Sequence, residues 1–185
     1  MTMDEMTTLF FQTQIHPIAQ TMDEIKAVGR AQGYQGFYMD QKIDEPVVIS
    51  NQFMNQNVVY IVMISTKKVL QYKTQLVKVW KKIYDKDSLL YLNEDILENL
   101  NDEHEFTSLF VGSSQNLEYR LKQHIGIAPC LNKQTLCLKQ LVEQGMDFSE
   151  FAVLAHHVDN NKKDLSTYAK LFRLAKTPLF SVKKI

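Results

Sequence analysis

Arg120 and His124 are the two residues of this 185-residue chain best spaced to do chemistry together. They lie four apart in Leu117–Glu118–Tyr119–Arg120–Leu121–Lys122–Gln123–His124, on neighbouring rungs of a predicted helix, so both side chains reach one cleft. An arginine there is a permanently charged fork of N–H donors matched to phosphate oxygens. Just upstream, the apolar run Leu109–Phe110–Val111 stops at Gly112–Ser113–Ser114. The pattern predicts a strand, a sharp turn at Gly112, and a helix whose orphan amides are capped by Ser113 or Ser114.

The block from Leu109 to His124, with Asn116–Leu117 between its strand and its arginine, resembles the second half of the GIY-YIG nuclease module. The first half of that module is matched by Val58–Val59–Tyr60–Ile61–Val62. Thr135–Leu136–Cys137–Leu138, Phe151–Ala152–Val153–Leu154 and Thr177–Pro178–Leu179–Phe180 are similar to the family as well. The likeness spans about Asn57 to Phe180 and is broken by a long insertion.

The resemblance implies a reaction centre for phosphodiester hydrolysis. In the family, tyrosine hydroxyls of the two namesake strands orient or deprotonate water, and the helix arginine binds the phosphate. The histidine assists proton transfer, and a glutamate on the last helix holds one Mg²⁺ or Mn²⁺, a hard cation that acts as Lewis acid. Carried over, the site residues are Tyr60, Phe110, Arg120 and His124, and two of the family's groups are missing. Phe110 stands where the second tyrosine belongs. Counted back from Pro178, the glutamate's place falls at Tyr168 or Ala169, and the only acid between Lys162 and Ile185 is Asp164, about one turn earlier.

Three functions follow. The first is binding of DNA or RNA phosphate, with cleavage weak or lost, through Arg120 and the lysines Lys73, Lys78 and Lys81. The second is a Mg²⁺- or Mn²⁺-dependent endonuclease whose carboxylate comes from Asp164, Glu143 or Glu150. The third is a protein-interaction module that uses the acidic segment Asp87–Glu105.

The elements that must position these residues can be read from periodicity. Val58 to Ile64 is the strongest strand, β-branched and apolar on both faces, as a covered central strand is. Thr107–Val111 and Phe151–Val158 are the other two strands of a small, mainly antiparallel three-stranded sheet flanked by helices, an α+β fold. By default Tyr60 is a core tyrosine, and only the resemblance gives it a reactive role. Residues 57–185 form the main domain, with 1–56 as an extension packed on it. The extension has a capping-box helix start at Thr21–Glu24 and short strands at Gly36–Met39 and Val47–Ile49.

The insertion over residues 67–105 is split by charge. Lys67 to Lys86 holds seven lysines and one acid, whereas Asp87 to Glu105 holds seven acids and no lysine or arginine. Apolar residues recur at helical spacing in both halves, so two oppositely charged helices pairing in a hairpin are expected. Trp80 and Tyr84 are available for stacking on a base, although a lone tryptophan at that spacing is more often core. Further helices are expected over Lys133–Gln144 and Asp164–Leu174. Adjacent His156 and His157 point to opposite faces of their strand and cannot chelate one ion together.

Composition narrows the rest. Twenty-one basic and twenty-one acidic residues leave no global field, so a polyanion needs a local patch. From Gln115 onward eleven basic residues outnumber six acidic ones, a mild positive bias in the half that holds Arg120. The two cysteines, Cys130 and Cys137, fit neither a disulfide framework nor a tetrahedral metal cluster. No apolar run approaches the roughly 18 residues that a membrane helix needs. The acidic start lacks the basic region of a secretory signal, and a cytoplasmic protein is expected.

Overall fold

The computed structural model describes residues 36–49, 56–83, 89–103, 105–129, 134–157 and 177–182, together with Leu165, Ala169 and Arg173. Thr21–Glu24, Tyr84, Cys130, Asp164 and Tyr168, and the side chains of His156 and His157, lie outside what it describes. The fold is α+β and the sheet is antiparallel throughout. It has four strands rather than the expected three: β1 (Gly36–Lys42), β2 (Val58–Ser65), β4 (Phe106–Ser114) and β5 (Glu150–His157), in the order β1-β5-β2-β4. The additional strand comes from residues expected in the extension. Gly36–Met39 does form a strand, but it joins the main sheet by pairing along the full length of β5. Val47 and Ile49 are buried without forming a strand.

Burial on both faces explains why β2 reads as an unbroken apolar run. Val58, Tyr60, Val62 and Ile64 face one core, whereas Val59, Ile61 and Met63 face another. The first core is closed by α1 (Thr66–Ile83), through Val69, Leu76 and Trp80, and by α3 (Leu117–Ile125), through Leu117, Leu121 and Ile125. Leu165 and Ala169 cover the second.

A β-bulge sets the phase of β4. Val62 pairs with Phe110 and Met63 with Ser108, leaving Leu109 as the extra residue. Leu109 and Phe110 therefore enter the same core, and Gly112 comes opposite Tyr60. Gly112 does not turn the chain, as the sequence predicts, because β4 continues to Ser114. What it supplies is space: a Cβ there would come within 2.5 Å of the Tyr60 hydroxyl and 2.6 Å of the Phe110 ring. The helix cap also comes later than expected. Asn116 Oδ1 accepts the Tyr119 N–H at 2.9 Å, and Ser114 Oγ accepts the Asn116 N–H at 3.0 Å.

The insertion is not a pair of helices. Its basic half forms the 18-residue α1, but its acidic half yields only a strand, β3 (Leu90–Leu92), and a five-residue helix, α2 (Glu94–Glu98). β3 is claimed by β6 (Phe180–Val182) in a separate two-stranded sheet. Trp80 packs against Phe180 with ring centroids 4.2 Å apart, so it belongs to the core. The helix expected over Lys133–Gln144 is shortened to α4 (Leu138–Glu143), because residues 134–137 are spent crossing α3.

Candidate anion site beside Tyr60

The sheet and α3 bring Tyr60, Phe110, Arg120 and His124 together. Tyr60 comes from β2, Phe110 from the bulged edge strand β4, and the Arg120–His124 pair from one turn of α3. His124 packs on Phe110 at a centroid distance of 4.7 Å and meets Tyr60 edge-on at 5.7 Å. The arrangement differs from an open cleft, since Tyr60, Phe110 and His124 are all buried. Arg120 is half-buried and spans the edge of the group. Its Nε–H donates to Tyr60 Oη (3.2 Å), Nη1 to Gln123 Oε1 (2.9 Å) and Nη2 to the Gln134 carbonyl (2.8 Å). The sequence predicts a guanidinium aimed at solvent or an anion, yet much of that fork is spent on its own chain. Gln123, to which the sequence gives no role, is itself held by the Pro129 carbonyl at 2.8 Å.

The protonation of the site follows from one backbone group. Leu136 donates its N–H to His124 Nδ1 at 3.1 Å. A backbone N–H can only donate, so Nδ1 is an acceptor and the proton of the neutral imidazole sits on Nε2. Nε2 lies 2.8 Å from Tyr60 Oη and therefore donates to it. The phenol oxygen thus accepts from His124 and from Arg120 together. Burial, and secondarily the Arg120 charge, holds the His124 pKa well below the usual imidazole range, in keeping with a neutral ring. Burial raises the Tyr60 pKa, opposed by Arg120 and more weakly by Arg173.

Arg173 is a site residue that sequence reasoning misses. It is half-buried and donates Nε–H to the Val111 carbonyl at 3.0 Å, one peptide from Gly112. Its distance from the motif halves along the chain hides it. The signal available is the four-residue spacing of Leu165, Ala169 and Arg173, which the structure shows to be helical. Ala169, one of the two places proposed for the family's metal carboxylate, lies in the apolar cluster with Val59, Ile61, Met63 and Val111. That cluster is on the opposite face of the sheet from the Tyr60 ring.

No family model, curated protein or solved structure matches this chain.

The donors around Tyr60 do not suit a hard dication. They are two guanidinium groups and a neutral imidazole whose lone pair is already taken, and Mg²⁺ or Mn²⁺ needs carboxylate oxygen. Among the described residues no three acidic, histidine or cysteine side chains converge on a point that could hold a metal. Glu150 is at the far end of β5, opposite Lys42, whereas Ala155 is the residue opposite Tyr60, so about 16 Å of strand separates it from the site. It lies within ion-pair reach of Lys42 and Lys68. Glu143 is exposed at the end of α4.

The three lysines assigned to phosphate binding are divided by the fold. Lys73 donates to the Glu98 carbonyl at 2.9 Å, and Lys81 pairs with Glu94 at 2.9 Å. Lys78 is exposed with no ion-pair partner among the described residues, as are Lys67 and Lys82. With Gln71 and Thr74 these three form the solvent stripe of α1, a helix with no acidic residue. The acidic segment therefore has one partner already, the flank of α1. No helix among the described residues is long and apolar enough to cross a membrane.

Proposed function

We propose that this chain is a GIY-YIG-type protein that binds nucleic-acid phosphate at the Arg120 site and along the lysine stripe of α1, with phosphodiester cleavage weak or lost. The observation that carries the reading is the double acceptance at Tyr60 Oη, from Arg120 Nε–H and from His124 Nε2–H. Positive charge is concentrated there, which favours an anion. The same wiring works against hydrolysis. An imidazole that already carries its proton on Nε2 cannot take one from Tyr60, so the pair supplies no base for water. Phe110 adds no hydroxyl, and among the described residues no three acidic, histidine or cysteine side chains are grouped to hold a metal. A phosphate held without those groups is bound in its ground state, which tightens binding without speeding a chemical step.

Fluorescence anisotropy of labelled single- and double-stranded DNA and RNA, repeated across salt concentrations, tests the binding. Affinity should fall steeply with salt and fall again in Arg120→Ala, with circular dichroism confirming that the variant is folded. Incubation with plasmid and Mg²⁺ or Mn²⁺ tests the chemistry. Robust cleavage by the wild type, abolished in Arg120→Ala, would overturn the non-cleaving reading. Salt-insensitive binding that ignores Arg120 would overturn the phosphate reading.

A further inference from the structure

We infer that Arg173 and the Tyr60 hydroxyl together form an oxyanion site that takes one phosphate group of a nucleic-acid strand without a metal ion. The inference deepens the function proposed above and rests on it. Arg173 is anchored through one bond, Nε–H to the Val111 carbonyl at 3.0 Å. That bond fixes the plane of the guanidinium and leaves its Nη1–Nη2 edge without a partner among the described residues. A half-buried guanidinium normally meets a carboxylate, since charge withdrawn from water is costly unless paired. Here no described carboxylate is bonded to it. Burial accordingly lowers its pKa.

The Tyr60 hydroxyl is incomplete in the complementary sense. Its oxygen receives Arg120 Nε–H and His124 Nε2–H, so its own proton must go to a third atom. No described residue accepts it. The two unfinished groups meet across one residue: Val111, which anchors Arg173, is bonded to Gly112, and a Cβ on Gly112 would come within 2.5 Å of the Tyr60 oxygen. A phosphate oxygen between them would accept the phenolic proton, and the Arg173 edge would engage one or two further oxygens as a fork. Two arginine charges converging on one phenol call for an anion, and a phosphodiester supplies both the charge and several acceptors.

The test uses the full chain in EDTA. Inorganic phosphate should raise the Tm of the wild type, and acetate at equal ionic strength should not. Arg173→Ala should lose the phosphate effect, whereas Arg173→Lys, which keeps the charge but not the fork, should retain part of it. The salt slope of DNA binding should fall by about one unit in Arg173→Ala, with affinity about tenfold weaker. Binding that disappears in EDTA overturns the inference. So does an Arg173→Ala protein that melts lower yet still gains Tm from phosphate, because Arg173 is then only a brace for β4. An equal response to acetate overturns the choice of phosphate. DNA binding that depends on Arg120 but not on Arg173 sinks this inference alone. Salt-insensitive binding that ignores both arginines sinks the proposed function with it.

Discussion

Leu136 N–H and His124 Nδ1, 3.1 Å apart, decide which way the imidazole faces its tyrosine. The loop that crosses α3 thus sets the proton inventory of the site through a backbone group alone. A titration follows from this. The ordinary imidazole pKa is about 6.5, and the folded value is held well below it, first by burial and then by Arg120. The unfolded chain therefore takes up the proton before the folded one does. The contribution to stability is complete above about pH 6.5 and is lost as the pH falls from there toward the depressed folded value. Imidazole NMR resonances should show His124 as the Nε2–H tautomer, without titrating in the mildly acidic range where free histidine does. A His124 that titrates normally would break the tautomer assignment.

Gly112→Ala should damage the site through space, since the new methyl group would lie 2.5 Å from Tyr60 Oη and 2.6 Å from the Phe110 ring. Neither ring has room to retreat in a buried cluster. A loss of about 1–3 kcal/mol is expected in urea denaturation, as for other overpacked cores. Unchanged stability would mean that β4 shifts freely at this point.

Ala169→Glu should not restore a metal site. The carboxylate would enter the cluster of Val59, Ile61, Met63 and Val111, across the sheet from the Tyr60 ring. Destabilisation of about 2–4 kcal/mol is expected, with no metal-dependent cleavage gained. A stable variant that cuts plasmid DNA in Mn²⁺ would put the vacated position at residue 169 after all.

Lysine neutralisation should separate two sets of residues that look alike in the sequence. Replacing Lys67, Lys78 and Lys82 with glutamine should lower the salt slope of DNA binding by about three units, near one for each phosphate left unneutralised. Replacing Lys73 and Lys81, which are tied to Glu98 and Glu94, should leave that slope nearly unchanged. Equal effects from the two sets would show that the internal ties open on binding.

What can be read from residues alone follows the range of the signals. The run Val58–Ile64 announces a strand covered on both faces because side-chain alternation is a local property, and β2 is that strand. The four-residue spacing of Arg120 and His124 brings both to Tyr60 for the same reason. Partners chosen across the chain leave no such trace. Leu90–Leu92 is too short to show a period and is a strand only because Phe180–Val182 pairs with it. Gly112 looks like a turn because its need for space comes from a ring on another strand. Leu136 acts through its backbone, so no side chain could advertise it.

The place of β1 in the sheet also has a consequence for how the chain folds. Among the described residues its only neighbour is β5, and the two lie near opposite ends of the described sequence. β2 and β4 can pair, and α1 and α3 can dock on them, before β5 has been synthesised. β1 cannot pair with it until the chain has grown past His157. Of the described strands it leaves the ribosome first and waits for the most chain to be made before its partner exists, with a long loop to close. During that interval its backbone donors and acceptors are open to any other strand that forms, so growth of the chain from β1 to β5 is a stage exposed to mispairing.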